Sequence, residues 1–203
     1  MPAAPFSSAA ILGTGSFGTA LARLLSSKLD SVELIGRDQA VADSINTTRH
    51  NSRYLAGIEL PGNILASTAT ANAAKHPLVL FCVPTAATRE TAKALAGYSL
   101  APETVLLSCA KGIERSTGER MSEILREQLP ANPVAVLSGP NHAEEIAACL
   151  ATCAVIGAED NALACRLQEL FTAPHFRSYT SDDLAGIELG GAIKNVYAIA
   201  PRL

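Results

Sequence analysis

The stretch Ala9-Ala-Ile-Leu-Gly-Thr-Gly-Ser-Phe-Gly-Thr-Ala-Leu-Ala-Arg-Leu-Leu25 decides how the chain folds. A short apolar run leads into Gly13-x-Gly15-x-x-Gly18, and an apolar helical period opens at about Ser16. The glycine spacing alone is a weak signal; a strand before it and a helix after it give it meaning. Gly13 permits a tight turn, Gly15 lets the backbone approach a pyrophosphate, and Gly18 lets the helix lie close on the strand. The helix start then offers unpaired N–H groups and a partial positive charge. The expectation is the opening of a β-α-β unit that binds a dinucleotide at Gly13, Gly15 and Gly18.

A second strand is expected over 32–36, ending in Gly36-Arg37-Asp38. NAD-selective sites often place an acid there to grip the ribose hydroxyls. Arg37 instead suits a 2′-phosphate, which favours NADP or dual use, while Asp38 stands one place late and keeps a ribose contact open. Beyond it the pattern gives a helix over 39–47, a polar loop over 48–54, a strand over 64–67 and a short helix over 71–75. Strands follow over 78–83, 104–108, 133–137, 152–156 and 176–179, with helices over 88–95, 117–128, from about 141, and over 162–170. Such alternation, with several wholly apolar strands, implies an α/β fold with a doubly wound, mostly parallel sheet. The mutual direction of the last two strands stays open.

Two lysines stand at informative places. Lys111, in Cys109-Ala-Lys-Gly112, follows a strand's carboxyl end, where it is suited to hold a phosphate as a point charge. A plain loop lysine is the other reading. Ser138-Gly-Pro-Asn-His142 ends the next strand and starts a helix whose N–H groups face an anion. His142 has no visible partner for a triad, and His50 reads as a surface residue. The run from Asp183 to Ala200 reads as a helix, with Leu184, Ile187, Ile193 and Val196 at helical intervals and Ser181 and Asp182 as caps. Gly190 and Gly191 lie inside it although each costs about 1 kcal/mol relative to Ala. They bare a patch along which Lys194 points, followed by Asn195. A desolvated lysine there serves as general acid or base; a solvated lysine on a tightly packed helix is the alternative.

Composition excludes several classes. The 203 residues are 48% hydrophobic and 17% charged, which supports a real core, and the net charge of -3 argues against nucleic acid or an anionic membrane as partner. Aromatic content of 4% disfavours base stacking. The cysteines, Cys82, Cys109, Cys149, Cys153 and Cys165, form no metal-type pairs, so no metal is expected. Reduced, buried thiols in a cytoplasmic protein are the expectation. Neither a signal peptide nor a membrane span is read from the sequence.

Four stretches in order carry a resemblance: Gly-Thr-Gly-Ser-Phe-Gly, Cys-Ala-Lys-Gly-Ile-Glu, Leu-Ser-Gly-Pro-Asn-His-Ala-Glu-Glu, and Glu-Leu-Gly-Gly-Ala-Ile-Lys-Asn-Val-Tyr-Ala-Ile-Ala. Over about residues 8–200 the chain resembles the bacterial NAD(P)-dependent glycerol-3-phosphate dehydrogenases. Val83-Pro84 and the segment from Asn51 to Leu60 look like that family too. The resemblance implies reduction of dihydroxyacetone phosphate to sn-glycerol 3-phosphate with NAD(P)H, feeding phospholipid synthesis. By it, Ser16, Phe17, Arg37 and Ala143 match cofactor contacts, and Lys111 a position shared by cofactor and substrate. Gly139 and Asn141 match substrate contacts, although the family often has a small hydroxyl residue where Asn141 stands. Lys194 matches the proton donor and acceptor, which also touches substrate. The implied domains are a Rossmann cofactor domain over 1–180 and, over 181–203, the first helix of a helical substrate domain that stops at Leu203 after the helix-breaking Pro201. That end fits a piece of a longer protein or a natural truncation, with weak or no activity alone; a homodimer stays open. Two rivals remain: a non-catalytic dinucleotide sensor, and a dehydrogenase of the 3-hydroxy acid or 6-phosphogluconate type.

Overall fold

The computed structural model describes residues 6–199, with side chains described for residues 6–194. The core begins with β1 (Ser8–Leu12), which pairs in parallel with β2 (Ser31–Ile35) on one side and β6 (Leu78–Phe81) on the other. All four residues of β6 are buried, as the unbroken Leu-Val-Leu-Phe run requires of a central strand. Neighbouring residues on a strand point to opposite faces. Ile11, Leu80 and Leu107 accordingly join one core cluster, while Leu12, Phe81 and Leu106 join the other. The sheet is therefore covered on both faces, by α1 (Ser16–Leu25), α2 (Gln39–Thr48), α5 (Ala143–Ala147) and α6 (Asn161–Phe171), and by α3 (Thr85–Ala96) and α4 (Met121–Gln128).

With β5 (Ile64–Ser67), β7 (Val105–Ser108), β8 (Val134–Ser138), β9 (Thr152–Ala158) and β10 (Phe176–Ser181), the sheet among the described residues has the order β10-β9-β8-β7-β6-β1-β2-β5. The chain winds outward from β1 through β2, then crosses to β6 on the other side. That reversal opens a crevice at the carboxyl ends of β1 and β6, where doubly wound sheets take ligands. A Rossmann-like, mostly parallel sheet is what the alternation of apolar strands and helices implies. β9 runs antiparallel to β8, and β10 runs parallel to β9. The direction left open by the sequence is thus settled: the two closing strands agree with each other and oppose the rest.

Several local expectations need correction. The polar loop over 48–54 contains β3 (His50–Asn51), which forms a hairpin with β4 (Leu55–Glu59), since Arg49 turns the chain through a left-handed φ of 60°. α4 starts at Met121 rather than near 117, because Gly118 takes a positive φ and Ile113 bridges to Arg120. The closing helix α7 (Leu184–Ile199) is capped by Asp183, whose carboxylate accepts from the Gly186 N–H at 2.8 Å, and not by Asp182. Ser181 Oγ accepts from the Asp183 N–H one turn earlier. Leu184 is buried as expected, but Ile193 is 44% exposed and the charged Glu188 is buried. The Val196 side chain and Pro201 lie outside the described residues. Among the cysteines only Cys109 is buried; Cys149 and Cys165 are exposed, and all five are free. No described helix is long and apolar enough to cross a membrane.

Candidate active site

Gly13 and Gly18 close the turn as tightly as the glycine spacing implies. Gly13 has φ 122°, and a Cβ there would fall 2.5 Å from the Cys82 carbonyl oxygen at the end of β6. At Gly18 a Cβ would fall 2.1 Å from the Gly13 carbonyl oxygen, so the helix closes on the turn only without one. Gly15 is different: a Cβ there meets no protein atom within 4 Å. The space is open, as an approaching ligand needs. Gly15 is also the N-cap of α1 and gives no side-chain cap, which leaves the first N–H groups of the helix for an outside acceptor. Ser16 donates its hydroxyl to the Tyr54 carbonyl at 2.8 Å.

The β3–β4 hairpin, missed by sequence reasoning, supports this turn from behind. Asn51 is fully buried and its Nδ2 donates to the Thr14 carbonyl and to Thr19 Oγ1, both at 2.8 Å. An asparagine in a polar loop gives no sequence signal for such a role. At the end of β2, Arg37 is exposed. Asp38 is already engaged: it accepts from the Ala40 N–H as cap of α2 and pairs with Arg53 at 2.6 Å.

Lys111 bridges the two halves of the crevice. Its Nζ lies 5.1 Å from the centre of the Phe17 ring on α1. It donates to the Gly139 carbonyl at 2.9 Å and to Asn141 Oδ1 at 2.8 Å. Asn141, 3% exposed, donates its own Nδ2 to the Cys153 carbonyl, so its amide braces Lys111 against β9. Gly139 is needed bare, with φ 156° and a notional Cβ only 2.9 Å from the Cys153 carbonyl oxygen. Ala143 is buried at the first position of α5, a helix that packs against α1. Burial, and then the charge of Lys194, pull the Lys111 ammonium from 10.5 down to about 8. Beneath it, burial and a hydrogen bond with Cys82 push the Cys109 thiol well above its usual range.

Lys194 comes from the opposite wall. It lines a cavity of about 670 Å³ together with Ser138, Gly139, Tyr179, Gly190 and Gly191. The two glycines divide the work. A Cβ at Gly191 would fall 2.5 Å from Ser138 Oγ and 3.8 Å from Lys111 Cγ, so this glycine seats α7 on the end of β8. Gly190 meets nothing within 4 Å and leaves the cavity open one turn before Lys194. The structure thus brings Gly139, Asn141, Lys111 and Lys194 together, with Phe17 adjoining; Arg37 stands apart from them, just after β2. Among the described residues, no cluster of His, Cys, Asp or Glu could hold a metal.

Sheet order, glycine turn and crevice are those of a Rossmann-like domain of the dehydrogenase kind. Residues 8–164 match the family model described as NAD-dependent glycerol-3-phosphate dehydrogenase N-terminus, and the chain belongs to that family. It is 45% identical over 192 residues to a glycerol-3-phosphate dehydrogenase [NAD(P)+] of Chelativorans sp. (strain BNC1), covering 94% of this chain and 58% of the relative. The enzyme of the same name from Streptomyces coelicolor is 44% identical, with 95% and 58% covered. The crystal structure of glycerol-3-phosphate dehydrogenase from Coxiella burnetii superposes with a TM-score of 0.88 at 31% identity, over 96% of this chain and 59% of that one. The chain therefore spans somewhat more than half the length of the relatives it matches.

Proposed function

We propose that this chain is the cofactor-binding part of an enzyme that reduces dihydroxyacetone phosphate to sn-glycerol 3-phosphate with NAD(P)H, for glycerophospholipid synthesis in the cytoplasm. The observation that carries it is the approach of Lys111 and Lys194 from separate segments, with Lys111 beside the Phe17 ring next to the open Gly15. Family membership and the names of the relatives support the same reading. The residues present fit the cofactor: open space at Gly15, free helix N–H groups at Ser16 and Phe17, and an exposed Arg37 where a 2′-phosphate would lie. When bound, the reduced nicotinamide supplies a hydride. Lys194 delivers the proton to the oxygen of the reacting carbonyl as negative charge develops there. Lys111, with Gly139 and Asn141 holding it, places a positive charge between cofactor and substrate. A domain over 1–180 and a segment over 181–203 that carries the lysine helix are the corresponding division of the chain.

Titration of this chain with NADPH, followed by nucleotide fluorescence, tests the first half. Binding is expected for the native sequence and a loss of at least about tenfold for Gly15→Val, which fills the open space. In an active enzyme carrying these residues, Lys194→Ala is expected to abolish NADPH oxidation with dihydroxyacetone phosphate while sparing NADPH binding. Undiminished turnover would remove Lys194 from the mechanism.

A further inference from the structure

Through Lys194, the buried side chains of α7 are Leu184 and Glu188. A carboxylate is costly to bury unless every lone pair is met, and a leucine would seal the same contact without that demand. Glu188 receives three hydrogen bonds, with at least one on each oxygen. One oxygen accepts from the Ser122 backbone N–H at 2.9 Å; the other accepts from Ser122 Oγ at 2.6 Å and from Arg120 Nη1 at 3.1 Å. The Ser122 N–H belongs to the first turn of α4, where N–H groups lack helical partners and a negative charge is favoured. We propose that Glu188 is the positioning residue of the lysine helix: by capping α4 from outside, it sets the rotation and height of α7 and so directs Lys194 into the cavity.

Apolar contact tolerates sliding and turning, whereas three hydrogen bonds converging on one carboxylate do not. The rest of α7 is held by apolar and close backbone contact: Leu184 is buried and Gly191 lies on Ser138 at the end of β8. Leu189 and Ile193 are each 44% exposed, and Ile187 is half-buried against Gly157, where a Cβ would fall 2.6 Å from its Cδ1. Lys194 lies six residues beyond Glu188, about 9 Å along the axis, so a small rotation at Glu188 swings the long lysine stem out of line. Arg120 is itself fixed by Glu123, to which its Nη2 donates at 2.6 Å, so the receptor for Glu188 is rigid.

This rests on the proton-donor role proposed for Lys194, but its test does not need turnover. The seat of α7 is read in Lys111, which α7 covers at Gly191. The groups facing Lys111 are Lys194 from α7, Cys109 just after β7, the Phe17 ring from α1, and Gly139 and Asn141 after β8. Competitive acylation with mass spectrometry, run across pH on the 203-residue chain, gives the Lys111 midpoint, and hydrogen exchange gives the protection of α7. In Glu188→Gln the midpoint is expected to move from about 8 toward 10.5, as both the cover and the Lys194 charge withdraw. Amides of α7 should exchange at least about tenfold faster, with those of β6 and β7 unchanged. Ser122→Ala should move both readouts the same way by less. Leu167→Val, a core change in α6, serves as the stability control and should leave the midpoint in place. An unmoved midpoint in both Glu188→Gln and Ser122→Ala, or an equal movement in Leu167→Val, overturns the proposal. If Glu188→Gln does not fold, Ser122→Ala against Leu167→Val decides alone. A Lys194→Ala enzyme that still turned over would refute the proton donor and leave the positioning result standing.

Discussion

Lys111 carries a charge whose persistence depends on pH in the working range. Its folded value of about 8 lies below the ordinary 10.5, with burial as the first cause and Lys194 as the second. An anionic ligand favours the charged form, so the bound midpoint lies higher than the free one. NADPH affinity is therefore expected to be full below pH of about 8 and to fall as pH rises above it, reported by fluorescence titration. Lys111→Met should bind more weakly at neutral pH and show no such fall; a parallel pH profile in that variant would place the titrating group elsewhere. Arg37 supports a separate expectation. It is exposed, while the neighbouring Asp38 is committed to capping α2 and to Arg53. Arg37→Ala should weaken NADPH by about 1.5–3 kcal/mol, the range for hydrogen bonds to charged groups, and change NADH little. Equal losses for both cofactors would show that Arg37 does not read the 2′-phosphate.

At the scale of elements, the β3–β4 hairpin and the glycine turn form one unit. Asn51 supplies both donors that satisfy the Thr14 carbonyl and Thr19 Oγ1 in a fully buried setting. Removing it leaves the Thr14 carbonyl without that partner, at a cost of about 1–3 kcal/mol. Asn51→Ala is expected to lower the urea midpoint by that amount with an unchanged m-value, and to raise the dissociation constant for NADPH as the turn loosens. A stability loss with native affinity would make the hairpin a structural prop only. The polar letters of residues 48–54 concealed this element. A two-residue strand has no period to detect, and its stability comes from the turn it braces.

For the whole molecule, the chain spans 58% of the length of its Chelativorans and Streptomyces relatives, and the cavity beside Lys194 has an exposed aromatic wall in Tyr179. In an open site, water weakens the electrostatic help that a lysine gives to a developing alkoxide. A substrate held from one side is also poorly aligned, which costs on the order of 100-fold in rate. A polypeptide of these 203 residues is thus expected to bind NADPH yet oxidise it with dihydroxyacetone phosphate far more slowly than a full-length relative on matched assays. Comparable rates would mean that the walls described here suffice.

By itself the sequence determined the Rossmann-like layering, the glycine turn and the helix that carries Lys194. These rest on local physics: unbroken apolar runs such as Leu78–Phe81 are stable only between two covered faces, and Gly13 and Gly18 admit a turn that any Cβ would block. The tertiary structure alone decided the reversed direction of β9, the bracing of the turn by Asn51, the burial of Glu188 against α4 and the meeting of Lys111 with Lys194. Each of these depends on a partner far away in the chain. A carboxylate or amide declares no burial in its own neighbourhood; only the donors that packing brings to it make that position favourable.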